Sequence, residues 1–134
     1  MDDKKRHDQG MGVRRAVLGD EWVDRANAKR NDFTADFQDF ITRYAWGEVW
    51  SRPGLDRRSR SMMTLAMMIA LGRWEEFRLH IRAALNNGVS VDEIKEVILH
   101  SAIYAGLPAA NSAFAEAVEV LKECGVELGG SLEA

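Results

Sequence analysis

This sequence of 134 residues has few residues that cross-link a chain or interrupt its helices, with one cysteine and two prolines. The lone Cys124 excludes an intramolecular disulfide and a CxxC redox pair. The longest apolar-rich stretch, residues 62–71, is too short to cross a bilayer. Residues 1–12 are charged and lack the apolar run of a signal peptide. We therefore expect a cytoplasmic protein with no membrane partner.

The charge balance also lacks a basic excess. The net charge is −3, the isoelectric point is about 5.6, and the basic residues alternate with acidic ones. Nucleic-acid binding needs a basic surface. The sequence therefore predicts that nucleic acid is not a partner.

Apolar residues make up 46% of the chain, and no strand-like alternation is visible. The length suits one hydrophobic core. We predict an all-α, single-domain antiparallel bundle of about six helices, covering residues 13–127. Residues 1–12 are predicted to be a flexible N-terminal segment, and residues 128–134 a flexible tail.

The first half of the chain has three helical patterns. Residues 13–30 form one or two pieces interrupted at Gly19. An aromatic stripe then repeats at helical spacing and is typical of a core or a subunit interface; it contains Phe33, Phe37, Phe40, Ile41 and Tyr44. The run GEVWSRPG is predicted to break this helix. Asp56 is a candidate N-cap for a helix that stops at Gly72 and, being apolar nearly all round, should be central and buried, with its four methionines as core filler.

The second half contains three further predicted helices. One runs from about Trp74 to Asn86 and ends at Asn86-Asn87-Gly88. Ser90 and Glu93 fit a capping box at the start of the next. Pro108 should begin the last, which extends to Gly125.

Three polar residues of the Trp74 helix could carry chemistry. Arg73, Glu76 and His80 are separated by three and four residues, which places them on one helical face. One interpretation is an ordinary surface pair of Glu76 and His80. In a partly buried pocket, however, Glu76 would raise the pKa of His80 while desolvation would lower it, and such a pair can deliver a proton to a carbanion or enolate. Arg73 could then hold a carboxylate.

Other candidates are weaker. His100 and Tyr104 are four residues apart on the next helix, with Glu96 one turn earlier, and a structural role near the core is favoured for them. A metal site could draw on His80, His100 and a glutamate, but no HExxH or similar motif supports it. Neither a phosphate-binding glycine loop nor a Ser-His-Asp arrangement stands out.

Two blocks give the chain a resemblance to a known family. Residues 44–71 contain WGEVWSRPGLDRR, and residues 71–114 contain RLHIRAALNNGV and AIYAGLPAANSAF. With the preceding aromatic helix, these blocks cover about three quarters of the chain and resemble the carboxymuconolactone decarboxylase family. The wider superfamily includes the alkyl hydroperoxidase D-like proteins, which are all-helical and assemble as trimers or hexamers.

The thiol-dependent members of that superfamily carry a glutamate, a CxxC pair and a histidine. By resemblance, the histidine matches His80, the cysteines match Arg73 and Glu76, and the glutamate matches Ser61. Only the histidine is kept. Disulfide-relay peroxidase chemistry is therefore excluded for this chain.

The resemblance implies a decarboxylase of protocatechuate catabolism, in the β-ketoadipate pathway. The implied substrate is 4-carboxymuconolactone, a lactone dicarboxylate, and the products are β-ketoadipate enol-lactone and CO2. No cofactor and no metal are expected, because the lactone carbonyl itself accepts the electrons. His80 would be the proton donor or oxyanion partner and Glu76 would orient it, while Arg73 would anchor a substrate carboxylate. Trp46 and Glu48 would line the pocket.

Two alternatives stay open at this point. The chain could be a non-catalytic module of the same fold that binds small acids or serves assembly. It could also decarboxylate or isomerise a related lactone. In either case the family resemblance, together with the abundance of apolar and aromatic side chains, predicts a homo-oligomeric ring, as a hexamer or trimer.

Overall fold

The computed structural model describes residues 1–129, and all of its regular secondary structure is helical. It contains seven α-helices, a π-helical segment and no strand within that range, which confirms the all-α prediction. The helices are α1 (Asp3–Leu18), α2 (Asp20–Ala28), α3 (Ala35–Ile41), the π-helix (Thr42–Val49), α4 (Arg57–Leu71), α5 (Trp74–Asn86), α6 (Val91–Ala105) and α7 (Leu107–Glu123). None of these helices is long and apolar enough to span a membrane.

The chain divides into two compact units, residues 1–60 and a second unit that begins at Ser61. Compact units need not fold independently, so the single domain expected over residues 13–127 stays a prediction. Of the predicted C-terminal tail, residues 130–134 lie outside the described residues.

In the first unit, α1 packs closely along the π-helix, and two glycines permit this approach. A Cβ atom on Gly10 would lie 1.9 Å from the carbonyl oxygen of Thr42. A Cβ atom on Gly47 would lie 2.5 Å from the carbonyl oxygen of Arg6. No side chain larger than hydrogen fits between the two backbones at these points.

This packing explains two differences from the sequence analysis. Residues 3–12, expected to be flexible, form the first turns of α1, where the side chain of Asp2 accepts a hydrogen bond from the backbone N–H of Lys5 at 2.8 Å. The run GEVWSRPG, expected to break the helix, does so, but its first three residues continue the helix as far as Val49 in π geometry. Both depend on contacts between segments far apart in sequence, which local composition does not reveal.

Other predictions in this unit have mixed outcomes. The interruption at Gly19 is confirmed, since this residue has a φ of 89° and separates α1 from α2. The aromatic stripe is not part of a core: Phe33 is 97% exposed, and Phe37 and Phe40 are also exposed. A helix in a single chain can therefore carry an aromatic face that its own unit does not cover.

The second unit has a continuous apolar core contributed by four helices. Leu65 and Ile69 come from α4; Phe77 and Ile81 from α5; Ile94 and Ile98 from α6; and Ala113 and Val120 from α7. The predicted limits of α5 are confirmed, as are the capping box of Ser90 and Glu93 and the position of Pro108 in the first turn of α7.

Helix α4, predicted to be central and buried, is fully buried on one face only. Its fully buried residues are Ser61, Leu65 and Ile69, which lie on one face. Met62 and Met68 pack against the core as expected, but Met63 is exposed and Met67 is 58% exposed. The apolar composition of α4 therefore exceeds what the described chain buries.

Candidate active site

Helix α5 positions the three residues that were predicted to take part in catalysis or substrate binding. Its apolar stripe, which includes Phe77 and Ile81, is buried in the core, and Trp74 packs edge-on against Phe77 with the ring centroids 5.6 Å apart. Arg73 directly precedes the first turn of α5, and Glu76 and His80 follow one and two turns later. The packing of the stripe thus sets the direction of this polar edge.

Arg73 and Glu76 form an ion pair at the start of α5. The guanidinium Nη2 of Arg73 donates a hydrogen bond to Oε1 of Glu76 at 2.9 Å. This bond lowers the pKa of Glu76 and raises the pKa of Arg73, so both groups are charged at neutral pH. Because both side chains are substantially exposed, solvent screens the pair.

His80 is half-buried beside the core, and two opposing influences act on its ring. Burial disfavours the charged imidazolium and lowers its pKa from 6.5 to about 4, while the negative charge of Glu76 acts in the opposite direction and is the weaker influence. His80 is therefore neutral at pH 7. A neutral imidazole offers one N–H donor and one nitrogen acceptor.

Together these groups place a cation, an anion and a neutral hydrogen-bonding ring along one edge of α5. The cation can attract a carboxylate, and the ring N–H can donate to a developing oxyanion. The sequence analysis named both influences on the pKa of His80. The structure indicates that burial is the larger one.

Trp46 and Glu48 belong to the first unit, where both lie in the π-helix rather than in a loop. Trp46 is buried and packs against Trp50, with ring centroids 5.1 Å apart. Glu48 is exposed, and its Oε2 lies 3.6 Å from Nε of Arg6. Their role as pocket walls stays a prediction.

A groove of about 650 Å³ between α4 and α6 was not anticipated. It is lined by Met62 and Met63 from α4 and by Glu96, Leu99 and His100 from α6, among others. His100 packs against Tyr104 with the ring centroids 5.0 Å apart, yet both are exposed, so the expectation that this face borders the core is wrong. The methionines of α4 were the sequence signal that could have revealed this groove, but the sequence analysis assigned them to the core.

The opposite polar edge of α5 joins it to α7. Nη1 of Arg78 donates to Oε2 of Glu116 at 2.7 Å, and Arg82 pairs with Glu123. Nη1 of Arg82 also lies 3.3 Å from Sγ of Cys124. Among residues 1–129, no group of three or more His, Cys, Asp or Glu side chains is arranged to hold a metal ion.

The fold and this site define an all-helical protein with a histidine-centred polar edge on α5. Residues 35–119 match the carboxymuconolactone decarboxylase family, and the chain belongs to that family. It is 56% identical to the 4-carboxymuconolactone decarboxylase of Acinetobacter baylyi over 126 residues, which are 94% of each chain.

Two further relatives are similar over shorter ranges. The nitrosuccinic acid decarboxylase npaB of Metarhizium robertsii is 50% identical over 101 residues, covering 75% of this chain and 71% of that protein. A 4-carboxymuconolactone decarboxylase sequence from Pseudomonas putida is 60% identical over 48 residues, which are 36% of this chain and all of that sequence.

Proposed function

We propose that this protein decarboxylates 4-carboxymuconolactone to β-ketoadipate enol-lactone and CO2, without a cofactor, in protocatechuate catabolism. The observation that carries this proposal is the 56% identity, over 94% of both chains, to a relative of that name. The polar edge of α5 supplies groups suited to the reaction.

The chemistry needs stabilisation of an anion rather than an external electron acceptor. The departing carboxylate is attached to a ring carbon that is conjugated, through the ring double bond, to the lactone carbonyl. When the C–C bond breaks, CO2 leaves and the electron pair moves to the carbonyl oxygen, giving an oxyfuran-like dienolate. One proton is then added to the carbon beside the carbonyl, which restores the lactone.

His80 is the proposed partner of this dienolate oxygen. Its low pKa supports a neutral ring in the resting enzyme, so hydrogen-bond donation from its N–H fits better than direct protonation by a resting imidazolium. A bound dianion would raise the pKa of the ring and bring proton transfer within reach. Glu76 acts in the same direction through its charge.

Arg73 is the proposed anchor for a substrate carboxylate. It is exposed, and its bond to Glu76 uses Nη2, which leaves the remaining N–H groups of the guanidinium fork for a ligand. Trp46 and Glu48 are retained as proposed pocket residues. A carboxylate such as that of Glu48 would repel a dianion, and the nearby Arg6 would partly offset this repulsion.

The test is a direct assay on 4-carboxymuconolactone with a metal chelator present, comparing the wild-type protein with His80→Ala. We expect wild-type turnover to fall by about 100-fold or more in the variant. Near-normal turnover by a correctly folded variant would remove His80 from the mechanism. Absence of wild-type turnover would favour a related lactone or the non-catalytic acid-binding alternative.

Nitrosuccinate is a second candidate substrate, favoured by the 50% identity to the Metarhizium decarboxylase. A nitro group, like a conjugated lactone carbonyl, can accept the electron pair released by loss of CO2. Assaying both compounds at matched concentrations and comparing kcat/KM decides between them. A higher kcat/KM for nitrosuccinate would replace the lactone as the proposed substrate.

We also propose a homo-oligomeric ring, a hexamer or a trimer, located in the cytoplasm. Support for assembly comes from the apolar side chains that each unit leaves exposed, including Phe33 and Tyr104. Light scattering coupled to size-exclusion chromatography measures the assembly directly, and a monomer at micromolar concentration would contradict it. The cytoplasmic location rests on the sequence prediction alone.

A further inference from the structure

The first unit contains a buried arginine that the proposed chemistry has not used. Arg14, on α1, is 3% exposed, and Nη2 of its guanidinium donates to Oε1 of Gln38, on α3, at 3.1 Å. The guanidinium lies over the ring of Trp22, on α2, 5.6 Å from its centroid. Three helices therefore converge on one buried cation.

Within the part of the chain that the structure describes, no carboxylate compensates this charge. Among residues 1–129, Arg14 forms no ion pair, and its buried Nε has no hydrogen-bond partner. Burial and the charge of the neighbouring Arg15 both lower the pKa of Arg14, and no acidic group acts on it in the opposite direction. Arg15 itself is paired with Asp20 and Asp24, so the acids nearby are engaged elsewhere.

A buried guanidinium without a counter-ion is unfavourable, because desolvation of the charge is not offset by an opposite charge. Trp22 and Gln38 are only half-buried, so the cation lies one layer of side chains below the surface. A cation covered only by side chains suits a small anion better than a carboxylate fixed to the helix of another protein.

We infer that Arg14, with Gln38 and Trp22, forms a binding site for a carboxylate group of a small dicarboxylate. A carboxylate accepts two parallel N–H bonds from a guanidinium, which would satisfy Nε together with a terminal nitrogen. Only the choice of a dicarboxylate as the ligand rests on the proposed function, whose substrate is a small dianionic acid. The binding site itself rests on the buried, uncompensated charge.

The experiment measures succinate binding to the full-length protein by calorimetry, at constant ionic strength with chloride as the balancing anion. Succinate is the probe because it carries two carboxylates and does not react. Arg14→Met removes the charge while keeping much of the volume. The matched control is Arg25→Met, which removes an exposed arginine of the same unit that pairs with Glu21 at 2.8 Å.

We expect the affinity for succinate to fall about tenfold or more in Arg14→Met, because a charged hydrogen-bond pair is lost, and to be unchanged in Arg25→Met. Arg14→Lys should bind with intermediate affinity, since it keeps the charge but not the two-bond geometry. Without ligand, Arg14→Met should keep or exceed the wild-type thermal midpoint.

Equal succinate affinity in wild type and Arg14→Met, or no binding by wild type, overturns the inference. A sharp loss of thermal midpoint in Arg14→Met assigns the residue to the fold instead. Loss of the oligomer with unchanged succinate affinity assigns it to a contact with a second copy. The proposed function fails separately, through absent turnover by a wild type that still binds succinate.

Discussion

The ring of His80 makes the stability of the protein fall as the pH is lowered. Its pKa is 6.5 in an ordinary environment and about 4 in the fold. Between these values the unfolded chain binds a proton that the folded chain does not. Stability is therefore fully present above pH 6.5 and is lost as the pH falls towards 4, by on the order of 3 kcal/mol.

Urea unfolding at pH 7 and pH 5 tests this dependence. We expect the wild-type protein to lose more stability between the two values than His80→Gln, which has no titrating ring. Other groups that titrate in this range are common to both proteins and cancel in the difference. Identical losses in the two proteins would show that His80 is not held neutral by the fold.

Glu76 provides a second test at the residue scale, because its charge raises the pKa of His80 against the effect of burial. Glu76→Gln should move the titration of the His80 ring, followed by NMR, to lower pH. Glu75→Gln removes a neighbouring exposed glutamate and is the matched control, with a smaller expected change. A larger shift in the control would mean that Glu76 does not set the charge of the ring.

Residue spacing anticipated part of this site. Steps of three and four placed Arg73, Glu76 and His80 on one edge of α5, and the ion pair of Arg73 with Glu76 follows from that geometry. Spacing could not show whether burial or the charge of Glu76 has the larger effect on the pKa of His80, because burial depends on helices from elsewhere in the chain. The uncompensated charge of Arg14 was invisible for the same reason.

At the scale of elements, α1 and the π-helix offer a paired test of close packing. Gly10→Ala would place a Cβ atom 1.9 Å from the carbonyl oxygen of Thr42, and should destabilise the protein by about 1–3 kcal/mol. Gly12→Ala, two residues along the same helix, meets nothing within 4 Å and should stabilise by about 0.5–1 kcal/mol.

Equilibrium unfolding in urea measures both changes. Because the two variants make the same substitution in one helix, their helix propensities are matched and their difference reports the contact with Thr42. Effects of the same sign and size would show that α1 does not approach the π-helix as closely as the structure has it.

The elements that sequence predicted best are those defined by local signals. Ser90 with Glu93, Gly106 with Pro108, and the turn after Asn86 mark the ends of α5, α6 and α7 through capping and backbone chemistry within a few residues. The π-helix and the first turns of α1 depend instead on the contact between Gly10 and Thr42. Periodicity likewise identified α4 as apolar but could not say which of its faces the chain covers.

At the scale of the whole molecule, exposed apolar side chains are concentrated around the end of α6. Ile103 is 76% exposed and Tyr104 is 80% exposed, and Leu107 follows at the start of α7. On a soluble monomer such side chains are costly to leave in water when they occur together. This surface is the part of the second unit that we expect a further copy to cover.

Ile103→Lys tests that expectation. A lysine at a buried contact between copies would carry an unpaired charge out of water, and we expect the oligomer to dissociate to smaller species in light scattering coupled to size-exclusion chromatography. Lys95→Glu, an exposed charge change on the same helix, should leave the mass unchanged. Because Ile103 contributes little to the core of its own chain, helical circular dichroism should be retained in both variants. An unaltered oligomer mass in Ile103→Lys would place the contact between copies on another surface, and the aromatic face of α3 would then be the next to test.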